Sequence, residues 1–345
     1  MSFRVKGKKR QHLQQFWDDP SNRRLINILR VRYWYAGVKQ KTGLSTAYQL
    51  ECYFEPLTKA SIDKRTPFRN KWSRYQSDKH KPGTALADLV EAKVPGSARE
   101  LNHPLWEVLR LGERALPKID SWMEKLEPRV LTVVYHPPKD QMNFLKIRQP
   151  YTHRLGSKLV KLGNLDALSA LLLYWLESKR LGENKDTQCQ ASSIYQLLLM
   201  MGMDFRRRNI AEELFVLFLV RVFTATDWGD RQFGINPAHY KRAAELLYGL
   251  LYEIRDINPF SSWAVQCKTM YQLLSGKKGS DVAYGLNLVL MPNWQFGPPT
   301  EQQWKSWTYD FRLAHWGWIH LNRGTHGRLP DDELWESLNK VTDAH

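Results

Sequence analysis

Between Thr66 and Pro82 the chain places Asn70, Ser73, Arg74 and Ser77 along one side of a helical turn pattern, with Arg69 and Lys71 flanking them. Cations and hydrogen-bond donors at this spacing suit the recognition of a polyanion. The surrounding sequence strengthens that reading. The first 82 residues hold 19 Lys and Arg against six Asp and Glu, which leaves +13 of the chain's +16 at one end. Phosphate neutralisation with counterion release rewards local rather than average charge, so nucleic acid is the expected partner.

Other groupings that could do chemistry are weaker. Glu91 and Lys93, with Asp88 upstream, carry a carboxylate pattern found in metal-dependent nucleases, but they sit on an expected helix and arise easily by chance. His315 and His320 are five apart, a spacing that does not put two imidazoles on one helical face as zinc helices require. Ser275–Ser280 lacks the spacing of a phosphate-cradling loop and reads as a basic turn. No grouping of Ser, His and Asp has a strand-turn-helix context. Neither a catalytic residue nor a metal or other cofactor is assigned, and binding rather than turnover is expected.

The elements that must position the basic run are short helices. Leu25, Ile26, Leu29, Trp34 and Val38 recur at helical spacing, which predicts a first helix over Asn22–Lys41, stopped by Thr42 and Gly43. Ser45 is the expected N-cap of a second, Thr46–Phe54, with Ala47, Leu50 and Phe54 on one face. Thr66 before Pro67 signals the start of a third, because Pro at the first helical position forfeits no intrahelical bond. Phe68, Trp72 and Tyr75 form its narrow apolar stripe. A fourth is expected around Leu86, Leu89, Val90 and Val94, ending at Pro95 and Gly96.

The segment Trp72–Pro82 resembles the end of the recognition helix and the following loop of the Cro/lambda-repressor type of helix-turn-helix, over roughly residues 22–97. The resemblance implies that Thr46–Phe54 is the supporting helix and Pro67–Gln76 the helix that enters the major groove. Trp72 and Tyr75 would be core, while Arg69, Asn70, Ser73 and Arg74 would face base edges, where Arg pairs with guanine and Asn with adenine. Lys64, Arg65, Lys71, Lys79, His80 and Lys81 would hold phosphates and fix the register. The sequence departs from the family in having Asp78 where a loop Gly is usual and in the longer connection from Glu55 to Arg65.

Beyond His103 longer amphipathic stretches predict helices over Leu105–Leu126, Asp166–Leu181, Ser192–Met201, Ile210–Phe223, Pro237–Ile254 and Ser262–Leu274, with one strand at Leu131–Tyr135. Arg206, Arg207 and Arg208 precede the helix expected from Ile210. Three cations fit poorly at a helix start, where the macrodipole is positive. This second basic cluster is therefore the expected second nucleic-acid contact.

A chain of 345 residues with 43% hydrophobic content has the composition of a globular protein with two or three domains. The expected class is mainly α: a basic arm over 1–20, a helix-turn-helix-like four-helix domain over 21–100, and a larger α-helical domain over 101–345 for self-association, as a homodimer or larger assembly, or for partner binding. Cys52, Cys189 and Cys267 show no paired spacing, so they read as reduced thiols. The apolar runs Ala167–Leu176 and Leu214–Val220 fall short of the ~20 residues that span a bilayer. A soluble, cytoplasmic protein with no membrane partner is expected, nucleoid-associated in a prokaryote. A DNA-binding transcriptional regulator, or a factor of a mobile element or its defence, fits these features. The alternative is a subunit of a ribonucleoprotein or multiprotein complex that binds RNA or single strands.

Overall fold

The computed structural model describes residues 20–56, 71–76, 80–136, 147–253, 258 and 261–343. They are mainly helical, as composition and periodicity predict. The chain divides into two compact units, one formed by residues 1–112 with 204–214 and the other by 113–203 with 215–345.

In the first unit the order is α1 (Pro20–Thr42), α2 (Ala47–Phe54), α3 (Lys71–Gln76), α4 (Thr84–Lys93), α5 (Ser97–Leu101) and α6 (Pro104–Leu111). Helix α1 is the hub, packing on α3, α5 and α6. Besides the predicted Ile26, Leu29, Trp34 and Val38, it buries Arg30, Val31, Tyr33 and Tyr35. Burial on several sides explains why its apolar stripe is wider than an amphipathic surface helix needs. The cap of α2 is Thr46, one residue beyond the expected Ser45. Its hydroxyl accepts from the Gln49 amide at 3.1 Å while the Gln49 side chain accepts from the Thr46 amide at 3.1 Å. Thr46→Ala should therefore cost about 1 kcal/mol of stability, read as a lower denaturation midpoint; an unchanged midpoint would show that this reciprocal cap contributes nothing.

Glu91 has a structural task. Its carboxylate accepts from the amides of Gly96 and Ala98 at 2.7 and 2.6 Å and from the Ser97 hydroxyl at 3.1 Å, which joins α4 to α5. The Ala98 amide, helped by the bonds from Gly96 and Ser97 and by the charge of Lys41, holds the Glu91 carboxyl below its ordinary pKa, against the opposing effect of burial. A depressed carboxyl contributes stability above its unfolded pKa and loses it as the pH falls through the folded value. Glu91→Gln should accordingly flatten the acid limb of the stability curve, and an acid limb identical to that of the parent protein would refute the linkage.

A 3-10 turn (Gly112–Lys118) leads into the second unit, followed by α7 (Ile119–Met123), α8 (Pro128–Val134), α9 (His153–Val160) and α10 (Leu165–Leu181). Helix α11 (Asn184–Arg207) and α12 (Ala211–Phe218) each include residues of both units, and a π-helical turn follows at Leu219–Phe223. Next come β1 (Arg231–Phe233), α13 (Pro237–Glu253), α14 (Trp263–Leu274), α15 (Ser280–Gly285), β2 (Leu290–Pro292), α16 (Glu301–Arg323) and α17 (Asp332–Asp343). Helix α10 is buried almost all round, from Leu165 to Leu176. Strands β1 and β2 pair antiparallel, with Gln232 opposite Met291. Helices α15 and α16 meet glycine on glycine: a Cβ on Gly317 would lie 2.5 Å from the Gly285 nitrogen. Only residues without side chains permit that approach.

Three sequence expectations are corrected. Leu131–Tyr135 is not a strand; Pro128 opens a helix after Glu127, and Val130 and Val134 bury together one turn apart. Packing of that face outweighs the β-branched preference, and Tyr135 alone makes a bridge, to Arg148. The expected helix Leu105–Leu126 is interrupted at Gly112, whose φ is 58°, and again by Pro117 within the 3-10 turn. The helix expected from Ser192 begins at Asn184 and continues to Arg207.

Candidate nucleic-acid interface

Helix α3 is two-sided. Trp72 and Tyr75 are buried at 0% and 4% exposure, while Ser73, Arg74 and Gln76 face solvent. The anchor is aromatic: the Trp72 ring lies between Phe54, 5.2 Å away and nearly parallel, and Trp34, 5.9 Å away. Tyr75 meets both Trp34 and Trp72 edge on. These contacts fix the rotation of α3 about its axis, because turning it would exchange two large rings for Ser73 and Arg74. Burial raises the Tyr75 phenol, aided by Glu55 nearby, so the ring stays neutral.

The expected phosphate ligands separate into different environments. Lys71 is held by Glu55 at 2.8 Å, an ion pair that a phosphate would have to replace. His80 and Lys81 are exposed. Partial desolvation and the Arg30 charge lower the Lys81 pKa, with Glu107 opposing them. Glu107 also receives Arg110 at 2.7 Å and Arg30 at 3.5 Å. Three cations thus share the field of one carboxylate. That local excess suits a phosphate. Sequence reasoning missed Arg30 and Arg110 because they stand 80 residues apart on α1 and α6, and only folding joins them. Lys64, Arg65, Arg69, Asn70 and Lys79 lie outside the described residues.

The second basic cluster needs correction. Arg206, Arg207 and Arg208 do not open a helix; they stand at the end of α11, where Asn209 turns left-handed with φ of 54°. The macrodipole is negative there, so the mismatch that suggested an outside anion does not exist. Arg206 and Arg207 are exposed, but Arg208 is buried. Its guanidinium lies 4.0 Å from the Tyr33 ring centroid and bonds the Tyr33 carbonyl at 3.0 Å, Glu100 at 3.1 Å and Asp204 at 3.2 Å. Lys41 reaches Glu100 at 3.0 Å from another side. Gly37 leaves room for this group: a Cβ there would fall 2.1 Å from a Glu100 oxygen and 2.5 Å from an Arg208 nitrogen. Arg208 is therefore an internal tie of the first unit.

Of the weaker groupings, His320 meets Thr325 at 3.0 Å and His315 stacks on Phe311. Among the described residues no cluster of three or more His, Cys, Asp or Glu could hold a metal ion, and no helix is long and apolar enough to cross a membrane. Comparison with known proteins finds no matching family model, no similar curated protein and no similar solved structure.

Proposed function

We propose that the chain is a DNA-binding protein that reads duplex DNA through its N-terminal unit, as a transcriptional regulator or as a factor of a mobile element or its defence. The observation that carries this reading is the sidedness of α3. Two buried rings hold it, and Ser73 and Arg74 are turned outward in the stretch that carries +13 of the chain's charge. The Arg30, Lys81 and Arg110 group supports it further, since cations in excess over one carboxylate attract phosphate. The helix-turn-helix assignment of α2 and α3 belongs to the same proposal. Self-association through the second unit would give two half-sites about one helical turn apart or a multiple of it.

Selection of bound sequences from random duplexes, followed by gel shifts on the winner, tests the reading. Arg74→Ala should cost about 1–3 kcal/mol on the selected site and relax the base preference. Lys81→Ala should weaken all sequences alike and lower the salt dependence. Equal affinity of Arg74→Ala and the parent protein, or preference for single strands or structured RNA at fixed salt, would overturn the duplex-reading proposal.

A further inference from the structure

The second unit contains a cavity of about 660 Å³, within the size range of small-molecule sites. One wall is a polar stripe on α11. Gln188, Cys189, Ser192, Ser193 and Gln196 fall at i, i+1, i+4, i+5 and i+8, which is one helical face, and all line the cavity. The opposite sides of the same helix are core, with Ile194, Leu197 and Leu198 fully buried. Ser157 on α9 adds a hydroxyl, and Tyr271 on α14 and Asn287 after α15 add further polar groups.

Several of these groups have hydrogen-bonding capacity to spare. Ser157, Ser192 and Gln196 make no side-chain hydrogen bond within the described residues. Gln188 spends its amide on the Asp227 carbonyl at 2.6 Å, which leaves its own carbonyl oxygen. Ser193, 9% exposed, meets Tyr151 at 3.4 Å, near the limit of a hydrogen bond. The cavity opens to solvent, so these groups meet water now and would exchange those bonds for a ligand's.

The charge is balanced. Arg231 and Asp310 both line the cavity, but they pair with each other at 2.6 Å, and Arg231 bonds Ser306 as well. Burial, with Asp186 nearby, raises the Cys189 thiol, which keeps it neutral. Aromatic side chains complete the lining: Trp228, Tyr284 and Phe311. A smaller, more apolar cavity of about 260 Å³ shares the wall formed by Val289, Phe311 and Ala314.

We propose that this cavity binds an uncharged ring compound rich in hydroxyl or amide groups, of the size of a nucleoside or a disaccharide. The polar stripe of α11 supplies donors and acceptors, and the Trp228 ring packs against the flat face of the ligand. Among the lining residues Arg231 is the only Lys or Arg and is already paired with Asp310, and His153 is exposed to solvent, so the phosphorylated form of the same compound binds more weakly. The inference stands apart from the DNA-binding proposal, because every lining residue belongs to the second unit.

Ligand-observed NMR and thermal shift on the full chain, with neutral nucleosides, neutral mono- and disaccharides and a nucleoside monophosphate, test it. Saturable binding is expected from one neutral class, with the monophosphate at least about ten-fold weaker than its nucleoside if that class is the nucleosides. Gln196→Leu and Ser157→Ala should each weaken the bound compound about five- to ten-fold while leaving the circular dichroism spectrum and gel-shift affinity for DNA unchanged. If Gln196→Leu does not fold, Ser157→Ala alone decides. Absence of saturable binding by every neutral compound, tighter binding of the monophosphate, or unaltered affinity in a folded variant would overturn the assignment.

Discussion

Trp72→Ala is expected to unfold the first unit or bring it to the edge of unfolding. The indole fills the space between Phe54 and Trp34 and touches Tyr35 and Tyr75 as well, all of them buried. Truncation would remove one of the two largest side chains of that cluster and leave a cavity bounded by rings that cannot collapse together. The cost should be about 3–5 kcal/mol, a large share of the ~5–15 kcal/mol that holds a domain folded. Trp72→Phe keeps a ring between Phe54 and Trp34 and should lose considerably less. Hydrogen exchange of the full chain, resolved by peptide, separates the outcomes. Protection should fall across α1, α2 and α4 in Trp72→Ala, while α10 in the second unit keeps its own. Unchanged protection in α1 would mean that Trp72 is not the keystone of this cluster. If the N-terminal unit reads DNA as proposed, Trp72→Ala should abolish that affinity too, because α3 owes its rotation to the same ring, whereas Arg74→Ala should lower it in a chain that melts normally.

Arg208→Ala should be the second most damaging change, at about 3–5 kcal/mol. The guanidinium is buried against Tyr33 and answers two carboxylates and a carbonyl. Its removal would leave Glu100, mostly buried, with Lys41 as its remaining cation in an ion pair, and the Tyr33 carbonyl without this donor. Breaking a buried pair from one side costs more than the pair itself contributes, because the other charge stays out of water. Arg206→Ala and Arg207→Ala, at exposed positions, should each lower the stability by no more than about 1 kcal/mol. Denaturant titration of the three variants gives the answer. Three equal midpoints would show that Arg208 is no more structural than its neighbours.

The two arginine environments illustrate what local sequence can and cannot convey. Trp72 and Tyr75 were legible as core because three-residue spacing puts two rings on one helical face, and the same spacing sends Ser73 and Arg74 outward. Nothing in Arg206–Arg208 distinguishes the buried member from the exposed ones. The distinction is made by Tyr33, Glu100 and Gly37, more than a hundred positions earlier in the chain. The cavity stripe is intermediate: its helical period is written in Gln188–Gln196, but a polar face on a helix ordinarily means open solvent, and the walls opposite it come from α9, α14 and α16.

By itself, the sequence determined the helical class, the positions of most helices, the concentration of positive charge in the first 82 residues and the inward turn of Trp72, since periodicity, capping residues and net charge are local properties. Tertiary structure alone decided that Leu131–Val134 is helix, that Arg208 is an internal tie, that Arg30 and Arg110 meet at Glu107, and that the polar stripe of α11 encloses a cavity. Each of these depends on which distant surface covers a residue, and burial, charge pairing and enclosure are properties of the assembled neighbours.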